Sequence, residues 1–352
     1  MSTTQGQSTP HPFPLQGRYA SHYKPENLAG PGDSRPTAQQ IVEDEHRVGD
    51  MKDKVFFLTG CASSYGSGIH IVSALASTGA TIYASARNLA AARETLAPWV
   101  QTGQVVLLHM DQTDLQSVRD CAAQFKKLRE GSRNKLNVLL ANAGIMNTPE
   151  ARTRDGFESQ LGVNYLSHWV LFRALRHELA ASSTPAFQSR VVCVSSVAHR
   201  GARIHWDNLS LAGGAYEGWA AYGQSELAVT YMANQVGRRY AARGVHANSL
   251  MPGGWVSPNL QKHSEEFVAM LKNPDLMRFM YSPEQGAATP VYAAISRELE
   301  GKGGFYLEGA GIAGPAPKNA TLADYGYDYD VGQCREDEER LWEVTKGLVG
   351  GQ

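Results

Sequence analysis

The sequence is poor in three things that mark common protein classes. It has four cysteines in 352 residues (Cys61, Cys121, Cys193 and Cys334), far apart and without a CxxC pair. That excludes a disulfide framework or a zinc-type spacing as the expectation and leaves buried thiols. It has almost no net charge, with 33 Lys+Arg against 34 Asp+Glu. A nucleic acid or an anionic membrane surface finds no electrostatic footprint in that balance. Long apolar runs are also missing. The longest, such as Val138 to Ala141, are strand-sized and too short for a bilayer. The polar start Met1-Ser-Thr-Thr-Gln carries no apolar signal-peptide core. The expectation is a cytoplasmic protein with no nucleic-acid partner and no membrane span.

What is present is a large apolar fraction, 42%, and 35 glycines. The first allows a sizeable core; the second points to many tight turns or a glycine-lined site. Residues 1–50 are rich in Pro, Gly, Gln and Ser, with "HPFPLQG" and "AGPGDSRP" breaking regular structure. They read either as an extended arm packed on the main domain or as a tail without structure. A short helix fits Thr37 to Glu45.

From residue 51 to about 300 strand and helix patterns alternate. Val55–Thr59, Thr81–Ser85, Val105–Leu108, Val138–Ala141, Arg190–Ser195 and Val245–Ser249 are short apolar runs of the kind buried in parallel sheets. Helical spacing fits 69–77, 89–100, 115–128, 161–179 and 222–243. Ser282-Pro-Glu-Gln285 reads as a capping box with proline in the first turn, opening a helix through Ile295. Glu336 to Leu348 is amphipathic. The pattern predicts a doubly wound parallel sheet of Rossmann type in one domain, with 301–352 as a C-terminal extension packed on it.

After the first core strand comes Thr59-Gly60-Cys-Ala-Ser-Ser64-Tyr-Gly66-Ser-Gly68, then a helix. A strand, a glycine turn and a helix N-terminus form the recipe for a pyrophosphate site, because backbone N–H groups and the helix dipole face the anion. The second strand ends at Arg87 instead of an acid. Arg87 suits the 2′-phosphate of NADP, or is a solvated surface arginine. Asp111, ending the third strand, either accepts a bond from an adenine amino group or belongs to a helix N-terminus with Thr113 and Asp114.

Together "LTGCASSYGSGI", "YASARN", "MDQTDLQSVR", "ANAGIM", "GVNYLSHWVLFRAL", "RVVCVSSVAHR", "YGQSELA" and "NSLMPGGWVSPNL" resemble the short-chain dehydrogenase/reductase family. They are most similar to its retinol-dehydrogenase-like and WW-domain-oxidoreductase-like branch in the form common in fungi. The resemblance implies hydride transfer between a nicotinamide and an alcohol or ketone. It implies that Asn142, Ala143 and Gly144 line the adenosine-ribose side of the cofactor, and that Asn164 holds the catalytic helix and a relay water. Ser196 would bond the substrate oxygen and Tyr222 move its proton. Pro252 and Gly253 would pack on the nicotinamide, with Ser257 near its amide or phosphates. Fungal likeness also implies secondary metabolite biosynthesis.

Two departures from the family pattern stand out. The family carries lysine four residues after the tyrosine; Glu226 stands there. An ionised carboxylate one helical turn from Tyr222 raises the phenol pKa where an ammonium lowers it. The glycine turn is also two residues longer than the family's TG-x3-G-x-G, with Tyr65 inside it. Two classes of enzyme therefore stay open: an NADP(H)-dependent oxidoreductase, or a redox-silent relative using Tyr222 and Glu226 for isomerisation, dehydration or cyclisation. A non-catalytic binding protein is the third reading. The aromatic and leucine content between Ser196 and Tyr222 (His199, His205, Trp206, Leu209, Leu211, Tyr216, Trp219), with a lid over 255–270, suggests an apolar small-molecule substrate, polycyclic or aromatic. The same residues would equally close a core. No metal is expected, and the protein is expected to be a monomer or homodimer.

Overall fold

A computed structural model describes residues 13–63, 66–133, 135–254, 259–321 and 323–350. Its strands are β1 (Leu15–Gln16), β2 (Val55–Thr59), β3 (Thr81–Ala86), β4 (Val105–His109), β5 (Val138–Ala141), β6 (Ser189–Val194), β7 (Val245–Met251), β8 (Tyr306–Glu308) and β9 (Gly311–Ala313). They form one sheet in the order β1-β9-β8-β7-β6-β5-β2-β3-β4. The strands from β4 to β8 pair in parallel, and the β8–β9 and β9–β1 pairs are antiparallel. Strand order reverses between β2 and β5, so the sheet has its switch point at their carboxyl ends, where ligands of such folds sit. The doubly wound single domain read from the sequence is the one observed.

Helices cover both faces. They are α1 (Ala38–Asp44), α2 (Ser67–Ser77), α3 (Leu89–Thr95), α4 (Ala97–Gln101), α5 (Leu115–Leu128), α6 (Ser167–Ser182), α7 (Gly218–Tyr240), α8 (Glu265–Leu271), α9 (Pro274–Met277), α10 (Pro283–Gly286), α11 (Ala288–Ile295), α12 (Tyr329–Gly332) and α13 (Arg335–Leu348). Side chains alternate along β2, so Phe56 and Leu58 join one core with α1, α2 and α11. Val55 and Phe57 join the other, with α5, α6, α7 and α13. No helix of the described residues is long and apolar enough to cross a membrane.

Several local expectations shift. The helix read over 89–100 is two pieces parted at Leu96, because Pro98 lacks the N–H that a continuous helix needs. The capping box at Ser282 forms as read, but the chain turns at Ala287 between α10 and α11. The helix around Tyr222 starts earlier, at Gly218, because the Glu217 carboxylate caps it at the Trp219 and Ala220 amides. The sheet runs past residue 300 through β8 and β9. The described part of the N-terminal segment is packed: β1 extends the sheet edge, and α1 lies on α2 and α11.

Candidate functional site

The glycine turn after β2 is built on contacts that leave no room for a Cβ. Gly60 has φ +73°, and a Cβ there would lie 2.6 Å from the Ala143 Cα. At Gly68 a Cβ would strike the Gly60 carbonyl and lie 2.8 Å from the Cys61 Cα. Gly60 lets the turn after β5 close on the turn after β2, and Gly68 lets the start of α2 close on that same turn. Gly66 is the N-cap of α2 and gives it no side-chain cap, and the first turn has no acid, so among the described residues the helix start is left to its own N–H groups. Ser64 and Tyr65 lie outside the described residues. Beside them, Ser63 Oγ accepts from the Asn259 side-chain amide at 2.9 Å. Arg87 is exposed at the end of β3 and forms no ion pair among the described residues.

Asp111 is occupied locally. Its Oδ1 accepts from the Thr113 amide at 3.0 Å and the Thr113 hydroxyl at 2.8 Å, while Asp114 caps α5. Asn142 donates through Nδ2 to the carbonyls of Thr59 (3.0 Å) and Gly60 (3.1 Å). The Asn142 and Ala143 amides both donate to Thr59 Oγ1 at 2.9 Å. Gly144 follows, at close contact with the Asn164 side chain.

Asn164 sits in a π-helical turn, Leu161–Leu166, that runs into α6. The wider turn leaves the Asn164 carbonyl to the His168 side chain, 2.8 Å from Nδ1. The other ring nitrogen of His168 lies 2.9 Å from Thr59 Oγ1 and 3.2 Å from Gln112 Nε2. Burial drives the His168 pKa down to about 4, so the ring is neutral and joins the Thr59 turn to the Asn164 turn. The turn is held from its start by buried Glu158, whose carboxyl accepts from the Gln160 and Leu161 amides, both at 2.7 Å. Neither His168 nor Glu158 was singled out by sequence reasoning. The available signal was polar residues inside an otherwise apolar helix.

The Asn164 side chain is fully used. Oδ1 accepts from the Ile145 amide at 2.9 Å. Nδ2 donates to the Ile145 carbonyl (2.9 Å), Ser225 Oγ (2.9 Å) and Glu226 Oε1 (3.2 Å). Glu226 and Tyr222 lie one turn apart on α7, both buried. Burial pushes the Glu226 carboxyl up to about 8, against hydrogen bonds from Ser195 and Asn164 that pull it down. Burial first, then the Glu226 charge, raise the Tyr222 phenol well above its ordinary value, while the Ser196 hydroxyl that reaches it pulls the other way. The sequence argument gave the effect an ionised Glu226 would have, and its direction agrees. In the folded chain Glu226 holds its proton at neutral pH, and burial outweighs charge at Tyr222. Ser196 ends the excursion after β6 and also accepts from the Ala198 amide at 3.2 Å.

Gly253 has φ +107° and packs its Cα against the Tyr281 ring, 2.7 Å from where a Cβ would be. Pro252 precedes it at the end of β7. Ser257 lies outside the described residues, as does the first part of the expected lid; α8 forms its later part. Trp219, 40% exposed, stands 6.1 Å from the Tyr222 ring and 6.2 Å from Phe267 of α8. Its neighbours on the 197–219 segment point elsewhere. His199 packs against both Tyr306 and Tyr327, which stack on each other, and Trp206 lies under Arg340 of α13. Those aromatics close the core, and Trp219 borders the site.

The model of the short chain dehydrogenase family matches residues 54–267. A Penicillium roqueforti protein named short-chain dehydrogenase/reductase prx1 is 43% identical over 339 residues, covering 95% of both chains. Human retinol dehydrogenase 13 is 33% identical over 248 residues, 69% of this chain and 68% of its own. A solved structure of an uncharacterised Mycobacterium paratuberculosis protein superposes with a TM-score of 0.60 at 28% identity, covering 84% of this chain and 93% of its own. The chain belongs to the short-chain dehydrogenase/reductase family of oxidoreductases, in its retinol-dehydrogenase-like branch.

Proposed function

We propose that the protein is an NADP(H)-dependent oxidoreductase working as a ketone reductase on an apolar small molecule, in secondary metabolite biosynthesis. The observation that carries this is the cluster of buried Asn164, Glu226 and Tyr222 with partly buried Ser196, in a sheet whose switch point also carries the glycine turn before α2. The residues fit a nicotinamide dinucleotide. Gly60, Gly66 and Gly68 leave backbone for a pyrophosphate, with Ser64 in the same loop. Asn142, Ala143 and Gly144 form the ribose floor. Arg87, exposed after β3 and without an ion pair among the described residues, stands where a 2′-phosphate would lie. Asp111 meets the adenine through Oδ2, which also lies 4.0 Å from Arg154 Nη2. Pro252, Gly253 and Ser257 are the nicotinamide side. Bound there, NADPH supplies a hydride.

The chain's own groups handle the proton. Ser196 bonds the ketone oxygen, and Tyr222, held as a phenol, donates to the alkoxide that forms. Glu226 still carries its proton at neutral pH and is the stronger acid of the pair, so it favours return of Tyr222 to the phenol. Oxidation of an alcohol requires the phenolate first, and burial beside Glu226 opposes that state. Asn164 keeps both helices in register. Trp219 and Phe267 make an apolar mouth, which supports the substrate class; the likeness to the Penicillium relative supports the setting.

NADPH titration by fluorescence is the test. Binding in the micromolar range with a preference over NADH, and loss of that preference in Arg87→Ala, is the expected result. Absence of binding at millimolar cofactor sinks it. The second reading, a redox-silent isomerase or dehydratase, draws on one observation: a carboxyl poised near neutral pH beside a phenol is a competent acid–base pair. It requires turnover that survives removal of cofactor and dies in Glu226→Gln.

A further inference from the structure

The N-terminal segment meets Tyr281 through two buried side chains: Tyr23, whose ring centre lies 6.2 Å from that of Tyr281, and Arg35, which also grips the backbone before it. Arg35 has no solvent exposure along its side chain and is paired by Nε with Asp33 Oδ1 at 2.8 Å. Its Nη1 donates to the Phe279 carbonyl at 3.0 Å. Its Nη2 donates to the carbonyls of Gly30 (3.1 Å) and Met280 (2.5 Å). The guanidinium carbon lies 4.2 Å from the centre of the Tyr281 ring. Asp33 is fixed in turn by the amides of Ala29 (3.0 Å) and Arg35 (3.1 Å) and by Gln285 Nε2 (3.2 Å). Gln285 also donates to the Arg35 carbonyl at 3.0 Å.

The segment that Arg35 grips is the one that returns to the Pro252–Gly254 turn. The Tyr281 amide donates to the Gly254 carbonyl at 2.7 Å, and its ring lies on Gly253. The chain leaves the sheet at that turn and comes back to it 27 residues later, so Tyr281 pins both legs. A guanidinium that donates to two successive carbonyls and stacks on the next ring fixes that tyrosine in position and angle. The planar fork of arginine does this where a lysine point charge cannot.

We propose that Arg35 is a positioning residue for the Pro252–Gly254 turn: the N-terminal segment, through the Asp33–Arg35–Gln285 clasp, sets Tyr281 and thereby the seat of the nicotinamide. This rests on the reading of that turn as the nicotinamide side. It assigns the segment a task that the short sequence around Arg35 does not announce. Asp33–Arg35 is a buried pair: Asp33 is held by the Ala29 and Arg35 amides and Gln285, and Arg35, besides its bond to Gly30, spends Nη1 and Nη2 on the Phe279 and Met280 carbonyls of the return leg. That places its effect at the turn rather than across the sheet.

Amide hydrogen exchange on the full chain, with NADPH titration alongside, tests it. In Arg35→Met the Tyr281 amide and the peptide over 277–285 should exchange about tenfold faster, while Val55–Thr59 keeps its protection. The NADPH dissociation constant should rise about tenfold. Arg35→Lys, which keeps the charge without the fork, should fall between, and it carries the test alone if the Met variant does not fold. Unchanged exchange at Tyr281, or equal acceleration in Val55–Thr59, overturns the proposal. If the wild type itself does not bind NADPH, the oxidoreductase reading fails, and the exchange comparison still decides whether Arg35 holds the turn.

Discussion

Asn164 and Glu226 face each other across two helices and are provided for in opposite ways. Every donor and acceptor of the Asn164 side chain is matched within the fold, by Ile145, Ser225 and Glu226. Glu226, equally buried, is met only by the neutral Asn164 amide and Ser195 hydroxyl among the described residues, which do not offset burial, and keeps its proton up to about pH 8 as the cheaper alternative to a buried charge. The first residue is a fastener and the second is a group left short. A fully satisfied amide rigidifies. A carboxyl left short of partners can change state near neutral pH, and that is what chemistry can use.

The largest expected effect lies beside the pair. Tyr222→Phe removes the proton donor and should lower ketone reduction about 10³-fold. Tm should move little, since the phenol makes no bond that the packing of α7 depends on. A variant that keeps a tenth of the rate would move the proton step to Glu226. Next is Asn164→Ala. It removes the partner of the Ile145 amide and carbonyl and, among the described residues, the side-chain amide that donates to the Glu226 carboxyl. We expect a loss of about 3 kcal/mol of stability by denaturant unfolding. We also expect the Glu226 pKa to climb above its present value, since one of the bonds lowering it is gone. Smaller again is Glu226→Lys. An ammonium one turn from Tyr222 lowers the phenol pKa, so alcohol oxidation should rise about tenfold at pH 8 while reduction changes less. An unchanged oxidation rate would show that burial alone governs the tyrosine.

The comparison also marks what a sequence can carry. The spacing of Tyr222 and Glu226 on one helix was legible because period 3.6 puts residues four apart on one face. Gly60 and Gly68 were legible because a strand–turn–helix at a switch point needs positions without Cβ. The protonation of Glu226 was not. It depends on side chains from the end of β6, the π-helical turn and α7 closing round it, and residue type alone carries no measure of that burial. The π-helical turn was hidden because one residue of extra winding leaves the apolar period almost intact. β1, β8 and β9 are two or three residues long and show no alternation to read. Arg35 was hidden for a different reason. Its partners are backbone carbonyls some 245 residues away, and carbonyls leave no trace in residue type.

Glu226→Gln separates the fastener from the group left short with the least disturbance, because it keeps shape and removes only the titration. The carboxyl's folded pKa is raised from 4.5 to about 8. Below the unfolded value both states hold the proton, and pH has no effect through this group. Between the two values the unfolded chain has released the proton and the folded chain has not. Stability therefore falls as pH rises, by about 1.4 kcal/mol per unit where the two states differ by one proton. Glu308, raised to about 7 in the same way, slopes in the same direction but is present in both proteins and cancels in their difference. Urea unfolding at steps from pH 5 to pH 9 should therefore show the Gln variant gaining on the wild type up to about pH 8 and then holding level. In the reductase assay the wild-type rate should decline above pH 8, as the ionised carboxylate makes Tyr222 a weaker donor, and the Gln variant should keep its rate. A difference in stability independent of pH would mean that Glu226 is ionised in the fold, and that it is fastened as completely as Asn164.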